Sequence, residues 1–220
     1  MNHIITIDGP AGSGKSTISR MLAKKIGYSY LDTGAMYRAV ALVAKRKGVD
    51  FHDGKELGTV CASLNLRFDK GEDPPKLLLG KEDISGLIRS PEMDMLSSKV
   101  SAVGEVREAI TGLQRKIAKR AGYVAEGRDM GTVVFPEADW KFYLTASSEA
   151  RADRRYEELL GRGETVLRDI VQADLRKRDD QDRTRPLSPL RPAEDALIID
   201  STTLTIEEVL VVMLNYIKQS

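Results

Sequence analysis

The sequence has few cysteines and no long apolar segment. Among its 220 residues Cys61 is the single cysteine, which excludes an intramolecular disulfide and is typical of a reducing compartment. No apolar run approaches the ~18 residues that a membrane-spanning helix requires. The N-terminus lacks a basic stretch followed by a long apolar region, so we expect no signal peptide. These absences predict a cytoplasmic protein that does not associate with membranes.

The chain also lacks a charge excess of either sign. It carries 34 basic and 33 acidic side chains, a formal net charge of +1. Proteins that wrap nucleic acid or bind anionic membranes need a clear cationic excess, so we expect neither partner. Aromatic residues make up 5% of the chain, too few to suggest a protein partner, and we expect a monomer. With 41% hydrophobic residues, the chain is predicted to form one domain with a substantial core.

The most informative stretch is Gly9-Pro-Ala-Gly-Ser-Gly-Lys-Ser16, which fits the pattern G-x-x-x-x-G-K-[ST]. Glycines let the backbone curl so that successive N–H groups point toward one bound phosphate, and the helix that follows adds its positive end. Lys15 would reach the β- and γ-phosphates, and the Ser16 hydroxyl would bind Mg²⁺. An apolar strand precedes the stretch and an apolar helical period follows it, which argues against a chance match. We therefore predict ATP binding by Gly9, Pro10, Ala11, Gly12, Ser13, Gly14, Lys15, Ser16 and Thr17.

Apolar strands alternate with amphipathic helices along most of the chain. The predicted strands cover residues 3–8, 28–32, 123–127, 141–145 and 196–200. This alternation predicts an α/β fold with a five-stranded parallel sheet flanked by helices. Because ligands bind at the carboxyl ends of such strands, we expect polar groups after the first three strands to share one edge of the sheet.

Residues 64–88 depart from this alternation. Short alternating segments separated by Gly/Pro turns predict a small antiparallel β insertion of two or three strands, with residues 84–88 resuming after a turn at 80–83. An irregular loop is the alternative for this stretch.

Arginines recur in the segments predicted at that edge, at positions 38, 107, 128, 178, 183 and 185. Phosphoryl transfer requires cations that position two substrates and stabilise spreading charge, and arginine supplies a planar, fixed charge. No [NT]-K-x-D segment typical of guanine-binding switches is present. The arginines therefore favour a small-molecule kinase, although any one of them could simply be a solvated side chain.

Five stretches together resemble the cytidylate kinase family of nucleoside monophosphate kinases. They are Ile5-Thr-Ile-Asp-Gly-Pro-Ala-Gly-Ser-Gly-Lys-Ser16, Leu31-Asp-Thr-Gly-Ala-Met-Tyr-Arg38, Glu126-Gly-Arg-Asp-Met-Gly-Thr-Val-Val-Phe-Pro136, Arg178-Asp-Asp-Gln-Asp-Arg-Thr-Arg185 and Leu197-Ile-Ile-Asp-Ser-Thr-Thr-Leu204. The resemblance covers nearly the whole chain. Its second and third stretches are far more specific than the phosphate loop, which many kinases share.

The resemblance implies a P-loop NTPase core with a helical lid. One kinase domain of residues 1–220 would have its core at about 1–33, 121–148 and 186–220. The monophosphate-binding region would cover about 34–120, including the β insertion at about 64–88, and the lid about 149–185.

The resemblance also implies roles for individual residues. CMP binding would fall to Thr33, Tyr37, Arg38, Ser98, Arg107, Arg128, Asp129, Arg178, Asp182 and Arg185. Catalytic roles would fall to Lys15, Arg128, Arg178 and Arg185. We add Arg154 and Arg155, in the lid region, to the predicted ATP-binding set.

The predicted base-reading residues suit cytosine. Asp129 or Ser98 can accept a hydrogen bond from the cytosine amino group while Arg107 donates to N3 or O2. Uracil has a carbonyl oxygen where cytosine has its amino group, and an N3–H donor where cytosine has the N3 acceptor. It would therefore place an acceptor against the carboxylate and a donor against the arginine.

The predicted reaction is ATP with Mg²⁺ and CMP or dCMP, giving ADP and CDP or dCDP. No general base is needed, because the acceptor phosphate is already a nucleophile near neutral pH. Two alternatives stay open: a P-loop kinase for another small acceptor such as shikimate, and a non-catalytic nucleotide-binding sensor.

Overall fold

The structure is a computed structural model that describes residues 3–69, 71–119 and 122–219. Its strands are β1 (Ile4–Asp8), β2 (Ser29–Asp32), β3 (Leu66–Asp69), β4 (Lys76–Leu79), β5 (Glu82–Asp83), β6 (Tyr123–Gly127), β7 (Trp140–Thr145) and β8 (Leu197–Asp200). Its helices are α1 (Lys15–Ile26), α2 (Thr33–Lys47), α3 (Gly54–Ala62), α4 (Pro91–Ser101), α5 (Gly104–Ala118), α6 (Ser148–Gly161), α7 (Arg168–Thr184) and α8 (Ile206–Gln219). A π-helical turn covers Met130–Val134. The chain divides into two compact units, residues 1–31 with 121–220, and residues 32–120.

The first unit, residues 1–31 and 121–220, is built on a five-stranded parallel sheet of order β2-β6-β1-β7-β8. Strand β1 lies at its centre, in parallel register with β6 and β7. Ile5 and Ile7 are fully buried and pack with residues of α1 and α8, because a strand covered on both faces must be apolar throughout. The predicted parallel α/β fold is confirmed.

The second unit, residues 32–120, combines α2–α5 with a three-stranded antiparallel sheet of order β3-β4-β5. Its core includes Leu42, Leu77 and Ile84. The β insertion is confirmed, with one difference: residues 82–83 form the third strand, whereas residues 84–88 do not form one. Ile84 and Ile88 are instead buried anchors, which explains the apolar character that suggested a strand.

Helix ends follow the residues that favour them. The side chains of Asp32, Asp53, Ser90 and Ser147 each accept a hydrogen bond from a backbone N–H in the first turn of α2, α3, α4 and α6. Before α8, the backbone N–H of Thr205 donates to Glu208, and the backbone N–H of Glu208 donates back to the Thr205 hydroxyl. This reciprocal pair is the capping box that the sequence predicts.

Candidate functional site

The phosphate loop leaves the carboxyl end of β1 and enters α1. Gly12 and Gly14 have φ angles of 75° and 88°, values that glycine adopts without strain. Gly14 is the N-cap of α1, and the first turn of that helix contains no acidic side chain. The N–H groups of its first turn and its positive end therefore suit an anion.

Lys15 is buried beside this loop. Its Nζ donates a hydrogen bond of 2.7 Å to the carbonyl oxygen of Pro10. Burial, with a smaller contribution from the nearby charge of Arg128, lowers the pKa of Lys15 to about 7, while Glu126 opposes the shift. A bound polyphosphate would reverse this shift, because negative charge stabilises the ammonium form.

Ser16 also has a partner that sequence reasoning did not assign. Its hydroxyl donates to Glu126 Oε2 at 3.0 Å, and the hydroxyl of Tyr30 donates to the other oxygen of the same carboxylate. Register explains the contact, since Glu126 on β6 pairs with Ile7 at the end of β1. The sequence did contain a signal for this contact, because Glu126 is an acidic residue within the otherwise apolar strand β6.

Arginines and carboxylates form one buried cluster in the first unit. Arg128 Nε donates to Asp182 Oδ2 at 2.8 Å. The guanidinium of Arg185 lies 3.6 Å from Asp129 and 3.9 Å from Asp182. Burial would raise the pKa of Asp182, but the charges of Arg128, Arg178 and Arg185 together hold it below its ordinary value.

This cluster lies near Lys15. The charges of both Arg128 and Arg178 act on the pKa of the Lys15 ammonium. Lys15, Arg128, Arg178 and Arg185, predicted as catalytic from the sequence, are therefore brought together within one unit.

Asp8 is a second residue that sequence reasoning left without a role. Its two carboxylate oxygens accept from the backbone N–H groups of Met130 and Gly131, at 2.9 and 2.8 Å. The side chain thus caps the π-helical turn that directly follows Arg128 and Asp129. Burial raises the pKa of Asp8 to about 7, although these two hydrogen bonds oppose the shift.

The two arginines predicted to bind ATP lie on α6 and have protein partners. Arg154 donates to the hydroxyl and carbonyl oxygens of Ser201, at 3.0 and 2.5 Å. The Ser201 hydroxyl in turn donates to the carbonyl oxygen of Thr145 at 3.0 Å. Arg155 donates to Glu158 one turn along its helix. Their contact with ATP stays a prediction.

In the second unit, three predicted CMP-binding residues lie in the first turns of α2. Thr33 and Tyr37 are buried. The Arg38 guanidinium lies 3.4 Å from both Asp32 and Asp94. Asp32 is the N-cap of the same helix, so one carboxylate shapes the start of α2 and contacts its arginine.

The remaining two predicted residues of this unit lie on α4 and α5. Arg107 is buried, its guanidinium lies 5.7 Å from the centre of the Tyr37 ring, and its Nη1 donates to the carbonyl oxygen of Ser101 at 3.1 Å. Ser98 is also buried, and its carbonyl oxygen accepts from the Ser101 hydroxyl. Arg107 is therefore held next to Tyr37 and to the α4 turn that contains Ser98.

Within the described ranges, no group of three or more His, Cys, Asp and Glu side chains could hold a metal ion by itself. The same ranges contain no helix that is long and apolar enough to cross a membrane. Ser16 and Glu126 are oxygen donors next to the phosphate loop that suit a hard divalent cation bound mainly by a nucleotide's phosphates.

Comparisons with known proteins agree with this geometry. The family model described as cytidylate kinase matches residues 5–219. The chain is 48% identical to a cytidylate kinase of Carboxydothermus hydrogenoformans, over 97% of this chain and 96% of that protein. It is 47% identical to a cytidylate kinase of Vibrio cholerae, over 98% of this chain and 96% of the other.

Among solved structures, an uncharacterized protein from Eubacterium ventriosum covers the whole of both chains with a TM-score of 0.58 and 12% identity. At that identity the likeness concerns the fold alone. The match to the family model over residues 5–219, with relatives nearly half identical along their full length, places this chain in the cytidylate kinase family.

Proposed function

We propose that the protein transfers the γ-phosphoryl group of ATP to CMP or dCMP, giving ADP and CDP or dCDP. The observation that carries this proposal is the cluster of Lys15, Arg128, Arg178 and Arg185 beside a phosphate loop, in a chain of the cytidylate kinase family. A protein that only senses a nucleotide does not need four converging cations, whereas a transferring phosphoryl group does.

In this proposal Lys15 binds the β- and γ-phosphates, and the three arginines hold the acceptor phosphate and the transferring group. Asp182 keeps Arg128 in place through their 2.8 Å hydrogen bond and lies beside Arg185. Alignment and electrostatic stabilisation supply the catalysis, because the acceptor phosphate is already a nucleophile.

Kinases of this family use ATP with a divalent metal, and we propose Mg²⁺ for this chain. The Ser16 hydroxyl would bind the ion, and the Glu126 carboxylate that accepts from it would orient that hydroxyl. The ion would neutralise charge on the phosphates of ATP.

We propose that Ser98, Arg107 and Asp129 read the cytosine base, and that Thr33, Tyr37 and Arg38 also contact the acceptor nucleotide. The support for Arg107 is its burial and fixed orientation, since a buried donor discriminates strongly against a base that cannot accept from it. A monomer that works in the cytoplasm stays our prediction.

The first experiment measures ADP formation from ATP and Mg²⁺ with CMP, dCMP, UMP, AMP, GMP or shikimate as the acceptor. We expect strong turnover with CMP and dCMP and weak turnover with UMP. Equal rates with UMP would contradict the base-reading roles. Absence of any acceptor-dependent turnover would favour the sensor, and turnover with shikimate alone would favour the other kinase.

The variant Arg107→Met tests base reading directly. We expect kcat/KM for CMP to fall by about a hundredfold or more, with a much smaller change for UMP, because the lost hydrogen bonds belong to cytosine. Arg115→Met on the exposed face of the same helix is the matched control. An equal loss for CMP and UMP would show that Arg107 does not discriminate between the bases.

A further inference from the structure

The backbone of the phosphate loop is hydrogen-bonded to a buried ion pair, Arg151 and Asp179, to which the function proposed above assigns no role. The backbone N–H of Ala11 donates to Asp179 Oδ1 at 3.3 Å. The carbonyl oxygen of Ala11 accepts from Arg151 Nη1 at 3.0 Å. The same Nη1 also donates to the second carboxylate oxygen of Asp179, which closes a small ring of contacts around the backbone of one residue.

This pair joins three segments that are far apart in sequence. Arg151 lies on α6, Asp179 on α7 and Ala11 in the loop after β1. Arg151 also donates through Nε to the carbonyl oxygen of Ala146, at 3.1 Å, and so is tied to the end of β7. The loop is thereby fixed to both helices of the predicted lid at their base.

The surroundings exclude solvent from the pair. Asp179 is 3% exposed and Arg151 is 7% exposed. Ala11 belongs to one buried apolar cluster with residues of α6 and α7: Ala152, Leu159, Val171 and Leu175. A well-packed apolar pair could fill such a space with equal or greater stability, so stability alone does not explain buried charges.

The position of Asp179 on its helix suggests what the charges do. Arg178 precedes it and Asp182 lies one turn later, and both belong to the charged cluster beside Lys15. Whatever fixes Asp179 to Ala11 therefore also fixes the distance between the phosphate loop and that cluster.

We propose that Asp179 and Arg151 are positioning residues, which hold the phosphate loop and the arginine cluster of α7 in the register required for phosphoryl transfer. This inference rests on the proposed function for its kinetic consequence. The proposal that the pair holds the phosphate loop in the conformation that binds the donor nucleotide does not depend on the identity of the acceptor.

The test compares Asp179→Asn with the double variant Asp179→Asn/Arg151→Gln. The single variant leaves the guanidinium without its carboxylate, whereas the double variant replaces the charged pair with two neutral amides and keeps the site without net charge. Asp180→Asn is the matched control, because it changes an exposed aspartate one position along the same helix. For each variant we would measure Tm, kcat, both KM values and the calorimetric Kd for ADP with Mg²⁺.

We expect both Asp179 variants to raise the KM for ATP and the Kd for ADP by about tenfold to a hundredfold, and to lower kcat, because a misplaced loop loses its alignment. The KM for CMP should change much less, and Asp180→Asn should stay within about twofold of the wild type. The double variant should recover most of the Tm that the single variant loses, without recovering ADP affinity.

A folded double variant with wild-type ADP affinity and kcat would overturn the proposal. If the wild-type protein showed no CMP-dependent turnover, the proposed function would fail while the ADP titration still tested the loop. If neither variant folded, hydrogen exchange of the Ala11 amide in the wild type would decide. Slow exchange would support the proposal, and exchange as fast as that of an unprotected loop amide would overturn it.

Discussion

Charged side chains have different settings in the two units of the chain. Around the phosphate loop, Asp182 and Arg185 have side chains only 5% exposed. On the surface of residues 32–120, Lys45 and Glu92 approach to 2.6 Å with side chains 49% and 56% exposed. The second pair remains hydrated and gains little, whereas the first has lost its water and depends on its protein partners. A short distance alone therefore does not show that an ion pair matters for stability. The extent to which the two side chains are buried is the better indicator.

The sharpest test of this contrast is the substitution of a buried charge whose proposed role is to bind the phosphates of ATP. Lys15→Met should lower kcat by about a thousandfold, because the charge aimed at the phosphates is lost. Stability should be unchanged or higher, since burial already lowers the pKa of Lys15 to about 7 and thus opposes its charged form. The measurements are ADP formation and Tm. A loss of activity below tenfold would contradict the assignment of Lys15.

A buried charge that supports other charges should behave differently. Arg128→Met should destabilise the fold by about 3 kcal/mol, because Asp182 then loses its 2.8 Å partner within a buried cluster. Urea unfolding measures the change, and the activity of the folded fraction should also fall strongly. A variant as stable as the wild type would show that Arg178 and Arg185 alone satisfy Asp182.

The pH dependence of stability tests Asp8, which shares the buried region. Its pKa of about 7 in the folded protein lies above the ordinary value of 3.8, so the folded state binds the additional proton between these values. The stabilising contribution is therefore complete below about pH 4 and is lost as pH rises through about 7, by up to a few kcal/mol.

Urea unfolding of the wild type and of Asp8→Asn across this pH range measures the effect. The difference between the two proteins should change between pH 4 and 7, because asparagine does not titrate. The asparagine side chain of this variant would also leave one of the N–H groups of Met130 and Gly131 without an acceptor, which lowers stability at every pH. A pH-independent difference would rule out titration of Asp8 in this range.

The smallest change in stability is expected for the exposed ion pair of Lys45 and Glu92. Lys45→Met removes an ion pair that is about half exposed, and should change the free energy of unfolding by less than about 1 kcal/mol. High salt should weaken the difference further. A loss as large as that of Arg128→Met would mean that burial does not distinguish the two settings.

The sequence predicted well those features that depend on local chemistry. The phosphate loop, the strand before it and the Thr205–Glu208 capping box each involve residues close in the chain, where residue type dictates conformation. Lys15 and Arg128 lie close together because parallel β1 and β6 bring their carboxyl ends to one edge of the sheet, whereas Arg178 and Arg185 are supplied by α7. The contacts of Ala11 with Asp179 and of Asp8 with Met130 were not predictable, since they join residues more than 120 positions apart. The π-helical turn was missed because no residue pattern marks one.

The phosphate loop is also confined sterically, and this constrains which sequences could replace it. A Cβ atom at Gly9 would lie 2.0 Å from the carbonyl oxygen of Leu144, and one at Gly12 would lie 2.8 Å from that of Arg151. The pattern G-x-x-x-x-G-K-[ST] leaves position 12 open to any residue, but β7 and α6 leave no space for a side chain at either glycine. In this chain, residue choice at position 12 is therefore set by the neighbours of the loop as well as by its ligand, and a library of loop variants should recover only glycine there.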